Sequence, residues 1–357
     1  MSEKAPLTYE DYRETSFFPA LDGLRAIAVT LVLFIHFGGD IGLSITGRLG
    51  VEIFFVLSGF LITTLLLREK DETGSVNLRK FYISRAFRIM PIYYTVLIFV
   101  IWQTFNLADD RWTSLKDALP YYFLFCNEFF TGNALWKVTW SLGIEWKYYL
   151  CWPLAAFFIA RSTRSRLIAA AFLILLSFAA WGSPVPIREY SVLVYGSLLA
   201  IIMHDRTGFK IISFLMRPRV SIAVFVFFAV FQTQTGRIWG YAYNARLDNM
   251  YSIVVILLIP AILGPGLPGR ILSSAPFVFV GRRSYSLYLI QPLAQHAVSG
   301  FAPWQKEGFW NVFLILVTGL FISDVLLRYV EKPCIEFGRQ INRKRDNVRQ
   351  LATQNSI

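Results

Sequence analysis

Ten predominantly apolar stretches recur along the 357-residue chain, near residues 21–38, 50–67, 89–106, 140–160, 167–182, 190–204, 220–235, 250–264, 277–300 and 309–330. No other feature constrains the fold as much. In lipid, every backbone N–H and C=O of a spanning segment must find its partner inside the protein, and helices do this within one segment. Several stretches fall short of the ~20 residues a span needs, so those are expected to be tilted, broken or shielded by neighbours. The expected fold is an all-α integral membrane protein, a bundle of about ten transmembrane helices. With 55% hydrophobic, 17% aromatic and only 16% charged residues, the composition is too apolar for an ordinary soluble domain.

An even number of spans puts both termini on one side, and the basic residues indicate which. With the N-terminus inside, 25 of the 35 Lys and Arg fall in inner segments and 8 in outer loops, while Arg25 and Lys147 lie within spans. This is the asymmetry of the positive-inside rule, so both termini are expected in the cytoplasm. The first sixteen residues are polar and show no secretory cleavage pattern, so the first apolar segment is expected to remain as an anchor. Three regions result: a cytoplasmic N-terminal segment (1–20), a transmembrane domain (21–332) and a basic cytoplasmic tail (333–357), the last a helix or a disordered end. No internal repeat stands out.

The net charge of +12 is then a record of orientation. No detached basic domain exists for a nucleic acid. Cys126, Cys151 and Cys334 fall in three different places, which leaves no disulfide framework. His36, His204 and His296 lack neighbours at metal-ligand spacing, and no metal is expected.

Two intramembrane charges single out the first span. Arg25 and His36 are eleven residues apart in LDGLRAIAVTLVLFIHF, close to three turns, so both emerge from nearly one helix face, roughly 16 Å apart along the axis. An ionisable group at such depth marks a functional site facing protein or a water-filled cavity; the plainer alternative is a histidine bonded to a neighbouring helix. In FYISRAFRIMP, Arg85 and Arg88 are three apart on one face and make a fork for phosphate groups. They serve equally as topology anchors. Arg282 and Arg283 invite the same two readings. Toward the outer side, Glu52 opens the second span and Ser141 and Glu145, four apart, open the fourth. These carboxylates share a leaflet with His36 and could orient an imidazole, or Glu145 could pair structurally with Lys147 or Arg25. Tyr285, Tyr288 and Gln291 form a further polar stripe that aromatic packing also explains. In the outer loop 107–139, YYFLFCNEFF is too short to cross a bilayer; it is either a re-entrant element roofing a cleft or an aromatic belt at the headgroups.

Taken in order, LDGLRAIAVTLVLFIH, GVEIFFVLSGFLI, LRKFYISRAFRIMPIYY, WSLGIEWKYYLCWP and RRSYSLYLIQP resemble the acyltransferase family 3 membrane proteins, which O-acylate cell-surface carbohydrates and some small molecules. The resemblance runs from about residue 20 to the VEKP at 330–333. It implies that Arg25 and His36 are the family's paired basic residue and histidine, that Arg85 and Arg88 are its paired arginines, and that Glu145 is its acid after WSL. Two departures are notable: Trp146 and Lys147 stand where many members carry a second acid and a glutamine, and Gln291 where fused members often carry a histidine. The implied activity is transfer of an acyl group, most often acetyl, from cytoplasmic acyl-CoA to a hydroxyl of an envelope saccharide or glycolipid, such as lipopolysaccharide or exopolysaccharide. The implied location is a bacterial inner membrane. Arg85 and Arg88, with Arg25, Arg282 and Arg283, are expected at the donor; His36 is expected as general base with Glu145 or Glu52 orienting it, and Glu52, Ser141 and Tyr288 near the acceptor. Direct transfer and an acyl-histidine or acyl-serine relay both remain open. Rival functions are acylation of a small molecule and, from a different class, transport.

Overall fold

The computed structural model describes residues 7–106, 111–132, 134–179, 187–239 and 245–354, and among these every regular element is helical. In order the helices are α1 (Tyr9–Glu14), α2 (Pro19–Phe37), α3 (Asp40–Ser44), α4 (Gly50–Thr73), α5 (Leu78–Asn106), α6 (Arg111–Phe123), α7 (Trp140–Leu154) and α8 (Thr163–Ala179). They continue as α9 (Ile187–His204), α10 (Arg206–Ile212), α11 (Pro218–Trp239), α12 (Ala245–Leu263), α13 (Leu267–Leu272), α14 (Ala275–Phe301), α15 (Phe309–Leu326) and α16 (Lys332–Gln354). Each of the ten apolar stretches falls on a helix over its described residues; 180–182 lie outside them. Five segments are long and apolar enough to cross a membrane (Pro19–Phe37, Gly47–Thr73, Leu78–Asn106, Pro218–Ile238 and Phe309–Arg343), and Glu189–His204 and Leu247–Leu263 are shorter apolar helices.

Local chemistry sets the helix ends. Pro19 occupies the first turn of α2, where a missing N–H costs nothing, and Asp22 in that turn complements the helix dipole. The helix stops at Gly38, whose N–H bonds Phe34 O at 2.8 Å. α4 ends at Gly74, whose left-handed φ of 77° closes the last turn onto Lys70 O.

α2 lies at the centre, with α4 and α14 against it. Small residues permit the close approach that lipid-embedded helices need. A Cβ on Gly281 of α14 would sit 1.8 Å from Asp22 O, and one on Gly50 of α4 would sit 2.4 Å from Ala28 O. α4 and α9 are keyed reciprocally: a Cβ on Gly59 would meet Leu193 O at 1.8 Å, and one on Gly196 would meet Val56 O at 1.9 Å. Gly281 touches α2 near its start, while Gln291 meets His36 near its end, so α14 runs parallel to α2.

Of the outer loop, residues 107–110 and 133 lie outside the described residues. The remainder folds into the bundle in part. Tyr122, Phe125, Asn127 and Trp136 are buried, with Tyr93 OH donating to Tyr122 O (2.9 Å), Phe125 stacked on Tyr93 (4.3 Å between ring centroids) and Trp136 Nε1 donating to Leu289 O (2.9 Å). Tyr121, Phe123, Leu124 and Phe129 point outward. The segment is thus re-entrant on one face and an aromatic fringe on the other. The tail is helical: α15 passes through a wide π turn (Leu327–Glu331) into α16, which packs on the arginine-bearing part of α5 through Phe337 against Phe87 (5.5 Å) and Asn342 against Ser84 Oγ (3.2 Å).

Candidate active site

One end of α2 gathers arginines. Arg25 Nη1 bonds Asp22 Oδ1 at 3.1 Å one turn back, and Arg282 reaches the other oxygen of Asp22 at 3.5 Å while its guanidinium lies over the Phe17 ring. Arg88 and Arg85 arrive from α5, close enough that Arg25, Arg85 and Arg88 act on one another electrostatically. Among the described residues neither Arg85 nor Arg88 forms an ion pair, and the buried Nε of Arg85 has no acceptor. Two guanidiniums of α5 without an ion pair, set beside Arg25 of α2, have the chemistry of an anion site. Glu331, turned in by the π turn, lies in the field of Arg88 and Arg25.

Arg282 and Arg283 do not act as a pair. Adjacent helical residues diverge by about 100°. Arg283 forms a two-nitrogen ion pair with Asp324, which also binds Arg328 at 2.7 Å. Of the two, only Arg282 joins the cluster around Asp22.

Glu145 stands between α7 and α4, where one carboxylate oxygen accepts from both Ser58 Oγ and Tyr149 OH. Its charge acts on Arg85 and on Tyr285 of α14, whose hydroxyl donates to Ile89 O at 2.7 Å. Ser58 and Glu145 both keep some accessible surface although they lie within helices and hydrogen-bond each other. Lys147 does not pair with Glu145. It bonds Glu128 Oε1 of the re-entrant segment at 2.6 Å, with Phe125 O and Gly143 O as further acceptors.

Among the described residues His36, exposed near the other end of α2, has no carboxylate partner. Its Nδ1 lies 2.8 Å from Gln291 Oε1, and Gln291 Nε2 donates to Tyr288 O at 2.9 Å. The Tyr288 hydroxyl sits 2.7 Å from Ser141 Oγ and 2.8 Å from Val138 O, which ties α14 to the start of α7. Glu52 is buried on another side of α4, where its charge acts on Tyr251 of α12. The structure therefore brings Arg25, Arg85, Arg88 and Arg282 together with Glu145 nearby, and separately joins His36, Tyr288 and Ser141; Glu52 and Arg283 belong to neither group.

Sequence reasoning passed over Asp22, Ser58, Tyr149 and Glu331. Asp22 and Tyr149 were within reach, one turn from Arg25 and Glu145 respectively. Ser58 and Glu331 carried no local signal, since only packing aims them at the site. Among the described residues no three His, Cys, Asp or Glu side chains gather as metal ligands.

Helices apolar enough to cross a bilayer, with arginines and a carboxylate at one end of α2 and a histidine at the other, define a membrane protein with a polar interior. Comparison with known proteins identifies its class. Residues 18–328 match the acyltransferase domain model of family 3, and the chain belongs to that family of acyl-transferring enzymes. The peptidoglycan O-acetyltransferase OatA of Listeria monocytogenes is 27% identical over 358 residues, covering 89% of this chain and 56% of its own length. A Bacillus subtilis protein named "putative peptidoglycan O-acetyltransferase YrhL" is 26% identical, with 91% and 56% covered. A Staphylococcus aureus "putative O-acetyltransferase" is likewise 26% identical, with 91% and 58% covered. The chain thus spans less than three fifths of the length of these relatives. No solved structure matches it.

Proposed function

We propose that this protein is a multi-pass inner-membrane O-acetyltransferase that takes acetyl from cytoplasmic acetyl-CoA and delivers it to a hydroxyl of an envelope glycan. The observation that carries the reading is the layout of α2, with unneutralised arginines around Arg25 at one end and His36 at the other. Ten spans with both termini cytoplasmic, the arrangement favoured by the basic-residue asymmetry, set the arginine end toward the cytoplasm. Arg85, Arg88 and Arg25, with Arg282 at the rim, hold the phosphates of the donor, while Glu145 with Ser58 and Tyr149 lines the passage through which the thioester arm extends. At the far end His36 takes the proton as the acceptor oxygen bonds to the acyl carbon. The C–S bond breaks, and coenzyme A leaves as the thiol when the proton is returned. Ser141 and Tyr288 flank the acceptor.

The names of two relatives favour a peptidoglycan sugar over lipopolysaccharide or exopolysaccharide among envelope acceptors. Purified protein in detergent, given labelled acetyl-CoA and separate preparations of peptidoglycan, lipopolysaccharide, exopolysaccharide and small alcohols, should label one glycan in alkali-labile ester linkage. Labelling of small alcohols alone would replace the glycan with a small-molecule acceptor, and no turnover of acetyl-CoA with any acceptor would overturn the donor assignment.

A further inference from the structure

We infer that Gln291 is a positioning residue that fixes the tautomer of His36, leaving Nε2 as the nitrogen that takes the acceptor proton. The inference rests on the reading of His36 as general base and goes one step further, to the atom that acts.

The amide of Gln291 is fully buried and held at both of its ends. The end 2.9 Å from the Tyr288 carbonyl oxygen must be the NH₂, because two acceptors at that distance would repel. The end facing His36 is therefore the oxygen, 2.8 Å from Nδ1. An amide oxygen only accepts, so Nδ1 must carry the hydrogen. A neutral imidazole has one N–H and one basic nitrogen, and the basic one is then Nε2. No hydrogen bond among the described residues engages Nε2. Rotating the amide by half a turn would set oxygen against oxygen at the buried Tyr288 carbonyl, so the orientation that satisfies both ends of the amide is the one that faces its oxygen to a protonated Nδ1. Tyr288 is itself fixed, through its hydroxyl, to Val138 and Ser141, so the support of His36 extends into α7.

The choice of an amide has its own chemical meaning. A carboxylate at this place would also select the Nδ1–H tautomer, but it would in addition stabilise the imidazolium by charge. Gln291 orients the ring without supplying that charge. His36 thereby remains neutral, and able to accept a proton, to lower pH than it would beside an acid.

Two measurements test this. In histidine-¹⁵N-labelled protein above the His36 titration, the spectrum minus that of His36→Ala should show a protonated Nδ1 and an unprotonated Nε2; the opposite tautomer overturns the inference, whatever the variants do. In the second, kcat against pH is read at saturating donor. Gln291→Leu should lower kcat roughly tenfold or more, the usual cost of losing a partner that orients a histidine, with the donor KM little changed. Gln291→Glu should move the acid limb to higher pH, reducing activity at pH 6 far more than at pH 9. Neither change should have any effect in a His36→Ala background. A Gln291→Glu profile that superimposes on the parent, with His36→Ala inactive, overturns the positioning role alone. Near-native turnover by His36→Ala removes the general-base reading and this inference with it.

Discussion

Lys147→Met breaks the contact that holds the re-entrant segment inside the bundle. Glu128, with 2% of its side chain exposed, faces Lys147 Nζ at 2.6 Å, and its one other hydrogen bond among the described residues is from Tyr190 OH at 3.3 Å. The same ammonium binds the carbonyl of Phe125, an aromatic residue in the left-handed region (φ 54°) that holds this conformation only while its surroundings enforce it. Removing one partner of a buried ion pair costs about 3–5 kcal/mol, because the other charge is left without compensation. Lys147 retains 26% of its side-chain surface, which places the expected loss lower, at about 2–3 kcal/mol. At roughly 2 °C per kcal/mol for a chain of this size, the apparent Tm in detergent should fall by about 4–6 °C. Glu128→Gln in the same chain removes the stranded charge and should recover more than half of the loss. Thermal unfolding followed by tryptophan fluorescence suits the test, since Trp136 and Trp146 border the segment. An unchanged Tm in Lys147→Met, or a double variant no more stable than the single, would refute the argument that the pair holds the roof in place.

Further outcomes follow from the rest of the bundle. Arg88→Ala and Arg85→Ala should each weaken acetyl-CoA binding roughly ten- to a hundredfold, the worth of a charge-assisted hydrogen bond, with little change in the amount of inserted protein. Arg283→Ala, which removes the contacts to Asp324 and Phe279 O and leaves Arg328 on Asp324, should leave donor affinity within about twofold of the parent by calorimetry. Gly196→Val forces side-chain atoms toward a backbone 1.9 Å from its Cβ and should reduce the yield of folded protein sharply, as gel filtration of solubilised membranes would show. Single cysteines at Ser2 and Ser356, introduced without the native three, should resist an impermeant maleimide in intact cells and react once the membrane is opened; labelling of intact cells would invert donor and acceptor sides. His36→Ala and His36→Gln should insert and bind donor normally while losing about 10² to 10⁴ of transfer, whereas rescue by glutamine would mark a structural histidine.

How far the site was legible in the sequence depends on what each residue needed. The helices were legible because an apolar run needs no information beyond itself, and the helix-face relation of Arg25 to His36 follows from spacing alone. Leaflet was inferred in the same way, from charge counts. Azimuth was not. Glu52 and Glu145 read from sequence as sharing the His36 leaflet, yet depth and rotation both depend on how a helix packs, and packing sets Glu145 beside Ser58 and Arg85 at the arginine end and turns Glu52 toward Tyr251. That Arg282 and Arg283 diverge needs only the ~100° step between neighbours, but which of them turns to Asp22 and which to Asp324 depends on packing. Gln291 was visible as part of a stripe with Tyr285 and Tyr288, but its role depends on register between α14 and α2.

That register is set by the packing of α14 beside α2. Gly281 lets α14 touch the backbone of α2 at Asp22, the residue that binds Arg25 and Arg282, and ten residues later the same helix presents Gln291 to His36. A sliding or rotation of α14 that disturbed the arginine cluster would also misplace the imidazole's partner. The proposed donor end and the proposed proton-accepting end are therefore joined by one pair of parallel helices. A side chain at Gly281 should accordingly impair both ends together, which distinguishes a shared scaffold from two independent sites.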